Sequence, residues 1–139
     1  MDEIKLFLNS IKTNNNFYDW VLANGKLFTE RDLEREKHLI KDGFNHKLKA
    51  CYYNSQMALF ELKDAKYYEG WYIATDIPIP LEHGFLVENE KVVDLTANGM
   101  KVKEYFGVSI PSKFVSEMIL KYEMAQSILG LYWRKSENE

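Results

Sequence analysis

Residues 82–96 read EHGFLVENEKVVDLT. Two stretches rich in apolar and β-branched residues flank Asn89-Glu90. The segment therefore reads as two strands, His83–Glu88 and Lys91–Thr96, joined by a tight hairpin. Each strand carries one group that a buried strand does not readily hold. His83 opens the first, and Asp94 lies inside the second. With Asn89 and Glu90 as a two-residue loop, Glu88 faces Lys91, Phe85 faces Asp94 and His83 faces Thr96. Strand side chains alternate, and directly opposed residues share a face. His83 and Asp94 then lie on one face as diagonal neighbours. Their Cβ atoms are roughly 7 Å apart, within reach of an imidazole–carboxylate hydrogen bond. A four-residue loop keeps this parity and an odd loop destroys it. A carboxylate buried alone is costly. Pairing it with one ring nitrogen of His83 satisfies it, fixes the tautomer and leaves the other nitrogen to act as a base.

Upstream lies the only cysteine, Cys51, at the head of CYYNSQMALFEL (51–62). Met57, Ala58, Leu59, Phe60 and Leu62 make this a largely buried helix. Cys51, Asn54 or Ser55, and Ala58 form a small face that can approach a sheet closely. The helix is expected to pack on the sheet face that holds His83 and Asp94. The free N–H groups and dipole of a helix start favour a thiolate. The same N–H groups, that of Cys51 included, can bind a developing oxyanion. A helix-start thiol beside a His–Asp pair is what acyl transfer through a thioester needs. Asn54 and Gln56 are the candidates for a second oxyanion donor, though both read more readily as structural helix residues. Each of these residues also has a plainer reading. A lone cysteine is often a small buried hydrophobe, a strand histidine a satisfied structural group, and Asp94 a turn or edge residue. His38, on a charged helix face, and His46, too near Cys51 in the chain, are weaker bases.

Elsewhere the first half reads helical. Ile4, Leu6-Phe7-Leu8 and Ile11 fit a short amphipathic helix, broken by Asn14-Asn15-Asn16. Phe17–Ala23 forms another, ended by Asn24-Gly25. Thr29 is placed as an N-cap, with Asp32 in the first turn of a charged helix reaching about Lys41. Asp42-Gly43 ends it. KYYEGWYIAT (66–75) alternates and is a strand. DIPIP (76–80), with two prolines, cannot be a central one. Ala97-Asn98-Gly99 is a turn, Tyr105–Ile110 a fourth strand, and Pro111-Ser112 opens a C-terminal helix. The tail RKSENE is expected to fray. The class is α+β: N-terminal helices, a Cys-bearing helix on a three- to four-stranded antiparallel sheet, and a C-terminal helix. One domain spanning 1–139 is expected, with a helical N-terminal region (1–46), a core (47–115) and a helical C-terminal region (112–133).

Composition narrows the partners. Net charge is −3, without the basic excess of general nucleic-acid binding. Lys41, Lys47 and Lys49 read as a solvated face. A single cysteine excludes internal disulfides and Cys-rich zinc sites. No apolar run reaches the roughly 18 residues of a membrane span, and MDEIKLFLNSIK is too acidic for a signal peptide. The expectation is a cytoplasmic protein that needs no metal or organic cofactor.

The ordered pieces CYYNS (51–55), YYEGW (67–71), EHGFLV (82–87) and VVDLT (92–96) resemble the transglutaminase-like branch of the papain-like cysteine hydrolase superfamily. With Tyr105-Phe106-Gly107 they also look like a set of small bacterial and bacteriophage proteins. The resemblance covers about residues 47–115. It implies a papain-like core with Cys51 as nucleophile, His83 as base and Asp94 as orienting acid. The function expected is a cysteine-dependent amide hydrolase or acyltransferase (peptidase, deamidase or transglutaminase-like) acting on a protein or peptide. The alternative is a non-catalytic scaffold of the same core that binds and inhibits or recruits a partner protein. Tyr67, Tyr68, Trp71 and Tyr72 would form its contact surface, unless they are core.

Overall fold

The computed structural model describes residues 3–12, 16–97 and 99–138. Among these residues the chain is α+β, with six helices and one five-stranded sheet. The helices are α1 (Glu3–Ile11), α2 (Phe17–Asn24), α3 (Leu33–Lys41), α4 (Cys51–Leu59), α5 (Ser112–Tyr122) and α6 (Leu129–Glu137). The strands are β1 (Lys26–Phe28), β2 (Lys66–Ala74), β3 (Leu81–Glu88), β4 (Lys91–Val93) and β5 (Val102–Ile110). Their order is β1-β5-β2-β3-β4, and every neighbouring pair is antiparallel.

The β3–β4 hairpin has the register read from the sequence. Glu88 pairs with Lys91, Val87 with Val92 and Leu86 with Val93. Asn89 and Glu90 both adopt positive φ, 51° and 66°. That is the requirement of a two-residue type I′ turn, whose twist matches the strands it joins. β4, however, stops at Val93 rather than reaching Thr96. Asp94 turns the chain by accepting the Ala97 N–H on its own Oδ1 at 3.1 Å, a local bond that competes with ladder pairing. The turn expected at 97–99 includes Asn98, which lies outside the described residues, as do Asn14 and Asn15 of the expected helix break. Because β4 is short, β3 runs past it with an open edge. α4 uses that edge: Ser55 Oγ donates to the Gly84 carbonyl at 3.1 Å.

The sheet has two unlike faces. One packs against the helices and holds Tyr67, Trp71, Leu86, Val93, Phe106, Val108 and Ile110, joined by Ile4, Leu8, Ala58, Leu59 and Val115. The other is a smaller aromatic cluster of Phe28, Tyr68, Phe85, Val87, Val92 and Tyr105. Phe85 and Tyr105 are fully buried, with ring centroids 4.9 Å apart. Burying a ring of this size contributes about 2–3 kcal/mol. By strand parity His83 and Asp94 belong to this aromatic face. α4 therefore does not lie on the His83 face as expected. Its body packs on the opposite face, and only its first turn reaches the rim where β4 has ended. Tyr67, Tyr68 and Trp71 are core residues, 1%, 7% and 5% exposed, which removes them from any contact surface.

Other differences have local causes. Lys26–Phe28, unassigned in the sequence, pairs with Tyr105–Gly107 and makes the fifth strand. Arg31 then bridges to Val92, so the chain is not free to cap a helix at Thr29. Asp32 caps α3 instead, accepting the Arg35 N–H at 3.1 Å. α4 ends at Leu59 and leaves Phe60 exposed. Arg134–Glu137, expected to fray, forms the end of α6. That helix is held from the sheet by Glu69, which is 1% exposed. Its carboxylate accepts the N–H groups of Ile128 (3.0 Å) and Leu129 (2.9 Å) and the hydroxyls of Ser127 (3.0 Å) and Tyr67 (2.6 Å).

Candidate active site

Cys51 is the first residue of α4 and is half-buried. The preceding Ala50 supplies no side-chain cap, so the first N–H groups of the helix lack the usual side-chain acceptor. The first intrahelical bond runs from Asn54 N–H to Ala50 C=O at 2.8 Å. Asn54 also anchors the helix start to both neighbouring loops. Its Nδ2 donates to the Lys47 carbonyl at 2.9 Å and to Thr96 Oγ1 at 2.8 Å. Cys51 and His83 line one groove of about 360 Å³. Tyr72 and Thr96 line it too, with Leu48, Leu81, Ala97 and Met100 as apolar walls.

His83 and Asp94 are 4% and 0% exposed. His83 Nε2–H donates to Asp94 Oδ2 over 2.8 Å, so the diagonal pairing inferred from the hairpin is present. Nδ1 is the ring nitrogen that this bond leaves for Cys51. Burial opposes a charged imidazole here. The charge and hydrogen bond of Asp94 outweigh it, the Cys51 thiol adds to them, and the pKa rises from 6.5 to about 9. Burial likewise opposes the Asp94 carboxylate. The charge and hydrogen bond of His83, the Tyr105 hydroxyl and the Arg31 charge overcome it and hold Asp94 below its ordinary value. Each group stabilises the charged form of the other, so they rest as an ion pair.

Sequence reasoning missed the residues that hold Asp94. Tyr105 donates its hydroxyl to the same Oδ2 at 2.8 Å. Glu36 Oε2 accepts the Asp94 N–H at 2.9 Å. Arg31 pairs with both Glu36 oxygens and donates to the carbonyls of Met100 (2.8 Å) and Ala97 (2.7 Å). The turn after Asp94 is thus tied down from β1's exit and from α3. Tyr105 opens the Tyr-Phe-Gly element of the resemblance, which was a usable signal. Arg31 and Glu36 look like ordinary members of a charged stretch, and nothing in the sequence marks them. Tyr72 covers the imidazole, with its ring centroid 4.3 Å from that of His83.

The weaker candidates lie elsewhere. His38 is exposed and paired with Asp42 at 3.2 Å. His46 is exposed, its Nδ1 near the Phe44 carbonyl. Neither candidate oxyanion donor is free, in line with their plainer reading as structural helix residues. The Asn54 amide is committed as described, and Gln56 Nε2 donates to Tyr67 Oη (3.0 Å) and the Gln126 carbonyl (2.8 Å). Lys41, Lys47 and Lys49 are exposed. Among the described residues no group of three His, Cys, Asp or Glu side chains could hold a metal ion. No helix there is long and apolar enough to cross a membrane. No family model, curated protein or solved structure matches the chain.

Proposed function

We propose that this chain is a cysteine-dependent acyl-transfer enzyme with a transglutaminase-like or papain-like core, acting on a protein or peptide amide. One observation carries the reading: a buried His83–Asp94 pair, 2.8 Å between Nε2 and Oδ2, shares a groove with a thiol at a helix start. An imidazolium held by a carboxylate stabilises an adjacent thiolate. Cys51 attacks the carbonyl carbon, and the Cys51 N–H donates to the oxygen as it becomes negative. His83 then protonates the departing amine. Water resolves the thioester in a hydrolase, and a second amine resolves it in a transferase. The groove opens to solvent beside Lys49 and Glu82, which gives either one a route in.

The test is labelling of the native protein with a chloroacetamide probe, followed by peptide mapping. Rapid modification of Cys51 that is lost in His83→Ala supports the reading. A thiol that reacts only after unfolding, in wild type and variant alike, refutes it. The non-catalytic scaffold has lost the support first given to it. Three of its four aromatics are core, and the fourth, Tyr72, lies against His83.

A further inference from the structure

We propose that the Tyr72 hydroxyl is the second oxyanion donor of this site, which makes Tyr72 a catalytic residue; the inference rests on the acyl-transfer reading above. Tyr72 lies on β2, directly beside β3, and half-buried in the groove that holds Cys51. Its ring packs against the imidazole, 4.3 Å between centroids, and stacks with Tyr105 at 6.3 Å. The hydroxyl makes no hydrogen bond to any described residue. A phenol held by its ring but unpaired at its tip has a donor to spare. The side-chain amides that follow the thiol on α4, Asn54 and Gln56, are spent on Lys47, Thr96, Tyr67 and Gln126. The hydroxyl also stays protonated. Burial first, then the charges of Asp94 and Cys51, push its pKa above 10.0. Phenol and thiol line the same groove.

Cys51 sulfur bonds to the carbonyl carbon, and the C=O π pair moves onto oxygen. The Tyr72 O–H and the Cys51 N–H donate to that oxygen without giving up their protons. On collapse the C=O bond reforms and the C–N bond breaks. The leaving amine takes its proton from the His83 imidazolium. A thioester and a neutral imidazole remain.

Two reagents applied to Tyr72→Phe separate this role from all others. Iodoacetamide alkylates the thiolate by displacing iodide and forms no oxyanion. p-Nitrophenyl acetate acylates it through a tetrahedral oxyanion and releases p-nitrophenolate. Phenylalanine keeps the ring on His83 and removes only the hydroxyl. The expected result is unchanged alkylation with acylation slowed by roughly 10²-fold, the usual cost of one lost oxyanion donor. Cys51→Ala supplies the background rate. Equal rates for wild type and variant with both reagents would overturn the proposal. So would equal slowing of both, since Tyr72 would then act on the thiol or the fold. If wild-type Cys51 reacts with neither reagent, the acyl-transfer reading itself fails and takes this inference with it.

Discussion

Arg31 grips Glu36 through Nε and Nη2, each 2.7 Å from a carboxylate oxygen, and neither side chain is more than 10% exposed. The pair lies under the turn that carries Asp94. Removing one partner of a buried ion pair leaves an uncompensated charge and costs about 3–5 kcal/mol. Glu36→Ala should therefore lower the urea midpoint strongly. The double variant Arg31→Met/Glu36→Leu should lose less than Glu36→Ala alone. A double variant as unstable as the single one would count against the ion pair as the cause.

Stability should depend on pH through the His83–Asp94 pair. The His83 pKa is raised from 6.5 to about 9 by the balance described above. Its contribution is present in full below pH 6.5 and is lost as pH rises through about 9. Asp94 is shifted down from 3.8, so its contribution is present above that value and lost as pH falls further. The stability gap between wild type and His83→Gln should accordingly be widest just below pH 6.5 and shrink by pH 9. Urea midpoints measured across that range check it. A gap that stays constant would contradict the assigned shift.

Asp94→Asn should cut acylation of Cys51 steeply, by an amount approaching 10⁴-fold, because an amide there selects the wrong imidazole tautomer. Tyr105→Phe removes one hydrogen bond to the same oxygen and keeps the ring. It should cost only about 1–2 kcal/mol of stability. Burst titration with p-nitrophenyl acetate, alongside a melting curve for each variant, distinguishes the two. Equal loss of acylation in both would show that the bond to Tyr105 matters as much as the bond to His83.

Gly70 sits mid-sheet, opposite Gly107 on one side and His83 on the other. A Cβ built there would lie 2.1 Å from the Phe106 carbonyl oxygen and 2.5 Å from the Gly107 Cα. Both obstacles are backbone, so no rotamer change relieves them. Gly70→Ala should cost about 3 kcal/mol or more, seen as a large fall in melting temperature. Gly43→Ala, with nothing within 4 Å but a φ of +94°, tests strain without crowding. Its loss should be the smaller one.

The hairpin was legible because one local fact, an even loop, fixes parity for every residue on both strands. That alone brought His83 and Asp94 together. The α4 start was legible from its small face and from the thiol at its head. What the sequence hid depended on distant partners. Lys26–Phe28 is too short to show a period and is a strand only because Tyr105–Gly107 pairs with it. Asp32 rather than Thr29 became the cap because the sheet had already claimed the residues between them. β4 looked three residues longer than it is because Asp94, Leu95 and Thr96 continue the alternation while Asp94 closes a turn on Ala97.

The Glu69 contacts bear on the order of synthesis. Glu69 is made with the second strand, 59 residues before the Ile128 amide that it holds. Folding on the ribosome proceeds from the N-terminus. A nascent chain that has completed its sheet therefore carries a carboxylate whose amide donors, Ile128 and Leu129, are not yet made. That group resists sealing of the core until residues 127–129 emerge. The helix that follows then closes the interior late.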